Sequence, residues 1–198
     1  RGGQGPYRQA AIMLNLADCT DGELAALALG GRQAAYSELM ARHRAAAFRL
    51  ARHHCGDDDA ALDVTQQSFI AAFSALDRYD HTRPFRHWLA RIVINKAHDW
   101  ARRRKVRQFF AFARPLDEAR EIAEPAPDAE RQASDRQQLQ KTMAAISDLP
   151  ARLKEVLVLR TIEGLSQVET AEVLGVSEKA VETRLYRARA KLTELLRD

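Results

Sequence analysis

Cysteine, proline and glycine are all scarce in this sequence. Two cysteines in 198 residues, Cys19 and Cys55, cannot build a disulfide framework, and they read as reduced thiols of a cytosolic chain. Nine glycines and six prolines leave few breaks. Runs of β-branched residues are rare, while Ala and Leu are abundant, so helices are expected and no sheet. No apolar run approaches the roughly 20 residues that a membrane helix needs. Residues 10–16 are too short for a signal peptide and lack a cleavage pattern. There is no Gly-rich phosphate loop, no nucleophile motif and no paired zinc signature, which argues against the common enzyme classes and against a cofactor. His53-His54-Cys55 beside the acids at 57–59 invites a metal reading. Neighbouring residues at one helix end point in different directions, however, and no second ligand pair follows, so no metal site is expected. Residues 1–6 are Gly-rich and are set aside from the fold.

What is present is charge, unevenly placed. The net charge is only +4, but basic residues gather in two separate segments, which suggests an anionic partner. Helical spacing runs from Asp21 to Gly30-Gly31, and again from Gln33 to a stop at Cys55-Gly56. Asp57, Asp58 and Asp59 offer an N-cap and first-turn acids to a third helix carrying Leu62, Phe69, Ile70 and Phe73. Residues 77–83 read as a polar loop. Pro84 suits the first turn of a fourth helix, in which Phe85, Trp88, Leu89, Ile92 and Val93 share one face. From 115 to 135 acids dominate, Pro115, Pro125 and Pro127 interrupt, and large apolar residues nearly vanish, as in a linker. Periodicity returns from Leu139 to the end. The expectation is all-α: two small helical domains, 20–112 and 136–198, joined by an acidic linker at 113–135.

The second domain carries a helix-turn-helix pattern. Ser166-Gln167-Val168-Glu169 is a capping box. The short helix that it starts ends near Leu174-Gly175-Val176, and Ser177 caps the next helix. In that last helix Val181, Leu185, Ala188 and Leu192 form a buried stripe. Lys179, Glu182, Thr183, Arg184, Tyr186 and Arg187 are left to neutralise phosphates or read base edges. The first domain contributes a basic helix over 83–107 with aromatics interleaved, a combination that tracks a phosphate backbone and stacks on unpaired bases. Phe85, Leu89 and Ile92 are assigned to the core.

Two motif sets then resemble one known family. Asp63-Val64-Thr65-Gln66-Gln67-Ser68-Phe69 with Pro84-Phe85-Arg86-His87-Trp88-Leu89-Ala90-Arg91-Ile92-Val93-Ile94-Asn95 is similar to region two of extracytoplasmic-function (ECF) sigma factors. Leu149-Pro150, Glu163-Gly164-Leu165-Ser166, Leu174-Gly175-Val176-Ser177 and Arg184-Leu185-Tyr186-Arg187-Ala188-Arg189 are similar to their region four. The resemblance implies a factor that binds core RNA polymerase and promoter DNA, has no small-molecule substrate and is not an enzyme. It implies core-polymerase contacts at Asp63, Gln66, Gln67 and Phe69. It implies that Tyr79, Asp80, His81, Thr82 and Arg83 capture a flipped base of the minus-ten element, with Asn95, Lys96, Asp99, Arg102 and Arg103 behind them. The minus-thirty-five element would be read by Lys179, Glu182, Thr183, Arg184, Tyr186 and Arg187. An anti-sigma factor is implied as regulator, with the chain cytoplasmic or held by that partner at the inner membrane. Packing of the two domains on each other in the free protein would mask their DNA faces. Three positions depart from the pattern: Gln67 stands where an acid is common, Thr170 where an aliphatic is usual, and Glu182 where a basic or neutral residue is frequent. The rival reading is an autonomous helix-turn-helix repressor or activator, which would bind operator without polymerase and leave the basic aromatic helix unused.

Overall fold

The computed structural model describes residues 15–111 and 130–197, with side chains for 15–108 and 137–197. Eight α-helices and no strand occur among the described residues: α1 (Asp21–Leu29), α2 (Gln33–Cys55), α3 (Asp58–Ser74), α4 (Phe85–Ala111), α5 (Glu130–Asp148), α6 (Ala151–Thr161), α7 (Gln167–Leu174) and α8 (Glu178–Leu195). No described helix is long and apolar enough to cross a membrane.

Local chemistry sets the ends. Thr20 and Glu23 form a capping box on α1, and the Asp57 side chain caps α3 by accepting from the Ala60 N–H. The α2 helix stops at Gly56, which is left-handed (φ +71°). A Cβ at Gly56 would also lie 2.7 Å from Ser147 Oγ of α5, so glycine serves both the turn and the close approach. The segment before α1 is tied down by Arg42, whose guanidinium donates to the carbonyls of Leu16, Ala17 and Cys19 at 2.7–2.8 Å.

The first domain packs α2, α3 and α4 around Leu39, Leu50, Val64, Phe69, Phe85, Leu89 and Val93. The core stripe of α3 is Ala61, Val64, Thr65, Ser68, Phe69 and Ala72. Leu62 and Ile70, despite their size, are exposed. The second domain wraps α6, α7 and α8 around Val156, Leu159, Leu174, Val181 and Ala188. Thr170 is fully buried there, and among the described residues its hydroxyl has no hydrogen-bond partner. An unpaired buried hydroxyl is costly, whereas an apolar isostere is not. Thr170→Val is therefore expected to raise stability by about 1 kcal/mol. Urea denaturation at pH 7 measures this, and a lower midpoint in the variant would refute it.

Within the acidic linker expected at 113–135, residues 130–135 form the first part of α5. Residues 113–129 lie outside the described residues. The domains do pack on each other: α5 and α6 lie against α2, and α7 lies against α4. Lys154 is buried at this junction and donates to the carbonyls of His54 (3.2 Å) and Ser147 (2.5 Å). His98 meets Glu155 at 2.6 Å and Arg49 meets Glu163 at 3.6 Å. The packing leaves Asn95, Arg102, Arg103 and the outer face of α8 exposed, while Ala151 and Arg152 at the start of α6 share a recess with Asn95, Asp99 and Arg102.

Candidate nucleic-acid interface

Three surfaces carry the residues singled out by sequence. The first is the outer face of α3. Asp63, Gln66 and Gln67 are exposed and lie beside the apolar Leu62 and Ile70. Phe69 is only 3% exposed and stacks near Phe73 (5.7 Å between centroids). Its assignment to a contact surface is corrected: Phe69 anchors the helix from inside. The apolar side chains exposed on this face are Leu62 and Ile70. Their spacing with Gln66 at i, i+4, i+8 was the available sign.

The second surface is the connection from α3 to α4. It opens with a 3-10 turn at Leu76–Arg78, and Tyr79 is then 5% exposed. Tyr79 packs against Phe85 and Trp88 at 5.2 and 5.3 Å, and its hydroxyl donates to the Arg83 carbonyl at 2.6 Å. Tyr79 is thus a strut that closes the loop, which corrects its placement among groups open to DNA. Asp80 Oδ1 accepts from both the N–H (2.9 Å) and the hydroxyl (2.7 Å) of Thr82. These two bonds hold its carboxyl below the usual carboxylate range. His81 Nδ1 lies 3.1 Å from the Gly22 carbonyl, fastening the loop to α1. Asp80, His81, Thr82 and Arg83 are exposed around this braced backbone. A loop already fixed loses less entropy when it binds an unpaired base.

Along α4, Asn95, Asp99, Arg102 and Arg103 fall at i, i+4, i+7 and i+8, so they share one side of the helix. Arg102 pairs with Asp99. Asp63 and Gln67 of α3 line a small recess of about 50 Å³ with Lys96, Asp99 and Arg103, so the first and second surfaces abut. Arg104 lies over the Trp100 ring at 5.3 Å.

The third surface is α8. Ser166 and Glu169 complete the capping box of α7. Gly175 ends that helix in the left-handed region (φ +65°), and the Ser177 side chain caps α8 through the Ala180 N–H. Val181 and Ala188 are buried, with Leu185 and Leu192 packed against them. Lys179, Glu182, Thr183, Tyr186 and Arg187 are all exposed, and Arg184 is half-buried. Tyr186 is 77% exposed.

A braced polar loop before a basic aromatic helix, together with a helix-turn-helix whose second helix presents an uncovered polar face, defines a two-domain helical DNA-binding factor. The sigma-70 region 2 model matches residues 39–107, and the sigma-70 region 4 model matches residues 139–192. The chain is 44% identical over 176 residues to the RNA polymerase sigma factor CnrH of Cupriavidus metallidurans, covering 87% of this chain and 92% of that one. It is 29% identical over 177 residues to the ECF RNA polymerase sigma factor SigM of Mycobacterium tuberculosis, covering 89% and 85%. A solved structure of CnrH in complex with the cytosolic domain of CnrY superposes with a TM-score of 0.65 at 39% identity, covering 89% of this chain and 96% of that chain. The chain belongs to the sigma-70 family, in its ECF group. It is a factor that binds core RNA polymerase and directs initiation at specific promoters.

Proposed function

We propose that residues 80–83, with Asn95, Lys96, Asp99, Arg102 and Arg103, hold the melted minus-ten element, while Lys179, Glu182, Thr183, Arg184, Tyr186 and Arg187 read the minus-thirty-five element as duplex. The α3 face of Asp63, Gln66, Gln67, Leu62 and Ile70 docks on the polymerase. The observation that carries this division is the pairing of two unlike surfaces in one chain. One is a loop braced from beneath by buried aromatics, with Asp80, His81, Thr82 and Arg83 exposed on it, suited to an unpaired base. The other is a capped helix with an uncovered polar face, suited to a major groove. The functional units run from about residue 20 to the end of α4 and from the start of α5 to the C-terminus.

The regulator is an anti-sigma factor, as the resemblance implies and as the partner in the CnrH structure suggests. The chain acts in the cytoplasm, performs no catalysis and needs no cofactor. Reconstituted transcription tests this reading. The protein is mixed with bacterial core polymerase and a promoter library, and start sites are sequenced. Initiation from a shared two-element promoter, with little duplex binding by the protein alone, is the expected result. Tight operator binding without initiation would instead establish the autonomous regulator.

A further inference from the structure

We infer that Gly22 of α1 takes part in promoter reading: its carbonyl fixes the His81 ring in the tautomer whose second nitrogen accepts hydrogen bonds, and the loop of residues 80–83 thereby selects an unpaired base that carries an exocyclic amine over thymine. The inference deepens the minus-ten role proposed above and rests on it. The side chains of this loop direct their protons to one another and to the backbone. The Tyr79 hydroxyl donates to the Arg83 carbonyl at 2.6 Å, and the Thr82 hydroxyl donates to Asp80 Oδ1 at 2.7 Å. His81 Nδ1 lies 3.1 Å from the Gly22 carbonyl. A carbonyl only accepts, so Nδ1 carries the proton, and in the neutral ring Nε2 is then a bare acceptor. What the exposed side chains have left to offer a base is lone pairs: those of His81 Nε2, of Thr82 Oγ1 and of the Asp80 carboxylate. Arg83 is the exception. Its guanidinium, 3.5 Å from Asp80 Oδ2, suits a phosphate beside the base.

Gly22 is a fixed anchor for this arrangement. Two side chains of α2 hold the residue before it: His43 Nε2 lies 2.7 Å from Asp21 Oδ2, and Arg42 Nη1 lies 3.3 Å from Asp21 Oδ1. A carbonyl has two lone pairs, so Gly22 is able to serve its own helix and the imidazole together. Glycine is a poor helix former, but at this position it lets the ring lie against the backbone. A Cβ on Gly22 would stand 3.4 Å from Nδ1 and 3.6 Å from Cβ of His81. On another side the ring rests against Tyr79, 5.1 Å between centroids. The orientation of His81 is thus set before DNA arrives, by α1 and by the buried strut of the loop.

The chemistry of the bases supplies the selectivity. Adenine, cytosine and guanine each carry an exocyclic amine that donates, whereas thymine presents carbonyl oxygens and a methyl group. A flipped base is read through hydrogen bonds to its edge, and thymine carbonyls facing these lone pairs would leave both sides unpaired. The test uses the full chain with core polymerase at pH 8, where imidazoles are neutral, on a library randomised over both promoter elements. The variants are His81→Phe, which keeps a ring and removes both nitrogens, and Gly22→Ile, whose branched side chain pushes the ring away while favouring helix over glycine. In the parent, thymine is expected to be depleted roughly fivefold at one minus-ten position. Both variants should remove that depletion and leave the minus-thirty-five preference unchanged, which also shows that they fold. Replacing the preferred base there by its analogue without the exocyclic amine should cost the parent roughly fivefold in initiation and the variants little. The inference is overturned by a parent that depletes thymine nowhere in the element, or by a depletion that survives His81→Phe. A Gly22→Ile chain that keeps the parent's preference removes α1 from promoter reading. Asp80→Ala distinguishes failure of the minus-ten role itself: if that role is wrong, this variant leaves every minus-ten preference intact.

Discussion

Lowering the pH from 7 to 4 is expected to cost the folded chain about 3 kcal/mol through His54 alone. His54 is buried where α2 meets the second domain, and burial is the main cause that pushes its pKa from 6.5 to about 4. Lys154 of α6 pushes the same way. The Leu50 carbonyl, 3.0 Å from Nδ1, and Glu155 oppose. Its Nε2 has no hydrogen-bond partner among the described residues, so nothing there rewards a second proton. Between pH 6.5 and 4 the unfolded chain binds a proton that the folded chain refuses. Stability therefore falls as pH drops through that window and levels off below it. Burial lowers His53 and His87 as well, so they add to the slope, while Glu163, raised by burial, works against it. His54→Leu removes the titration and should flatten most of the slope, with a smaller change at pH 7. Urea midpoints measured at pH 7, 6, 5 and 4 decide the matter. Equal slopes in parent and variant would place the acid sensitivity elsewhere.

The sequence exposes some of this architecture and conceals the rest for physical reasons. The helix-turn-helix is legible because its boundaries are written in residues with one local job. Ser166 and Glu169 cap each other across three positions, Gly175 takes a left-handed turn, and Ser177 caps the next helix. The α8 stripe is legible because its spacing holds over three turns. The α3 helix misleads because its core is built from small side chains. Ala61, Thr65, Ser68 and Ala72 let α2 and α4 come close, while the bulkier Leu62 and Ile70 point outward. Size suggests the wrong face where close packing demands small residues. Tyr79 misleads because a tyrosine in a polar loop looks available. Its burial depends on Phe85, Trp88 and a carbonyl four residues on, which only the folded loop brings together. The contact between domains leaves no local trace. Arg91 and the carbonyls that it caps are 82 and 83 positions apart, and backbone acceptors carry no signature in side-chain type.

Removing the Arg187 side chain is expected to weaken binding to the minus-thirty-five duplex by about 1–3 kcal/mol, roughly ten- to a hundredfold, and to do so mainly at one or two base pairs. Arg187 and Glu182 lie one and a half turns apart on the exposed side of α8. They are opposite in charge, and that opposition is what makes them informative. A guanidinium pairs with guanine O6 and N7, whereas a carboxylate repels phosphate and accepts only from a base donor such as cytosine N4. Glu182→Ala should therefore relax preference at one base pair while leaving affinity for the best site similar or slightly higher, because a negative charge leaves the interface. Lys179 sits in the first turn of α8, where its flexible ammonium suits a phosphate. Lys179→Ala should weaken all sequences alike and lower the salt dependence by about one counterion. The three side chains are exposed, so none of these changes should disturb folding. Fluorescence anisotropy on a randomised minus-thirty-five duplex, read at two salt concentrations, separates the three behaviours. If Arg187→Ala lowered affinity uniformly while Lys179→Ala altered preference, the two roles would be exchanged. If Glu182→Ala left every position's preference intact, the carboxylate would face solvent and the discrimination would have to come from Thr183 and Tyr186 beside it.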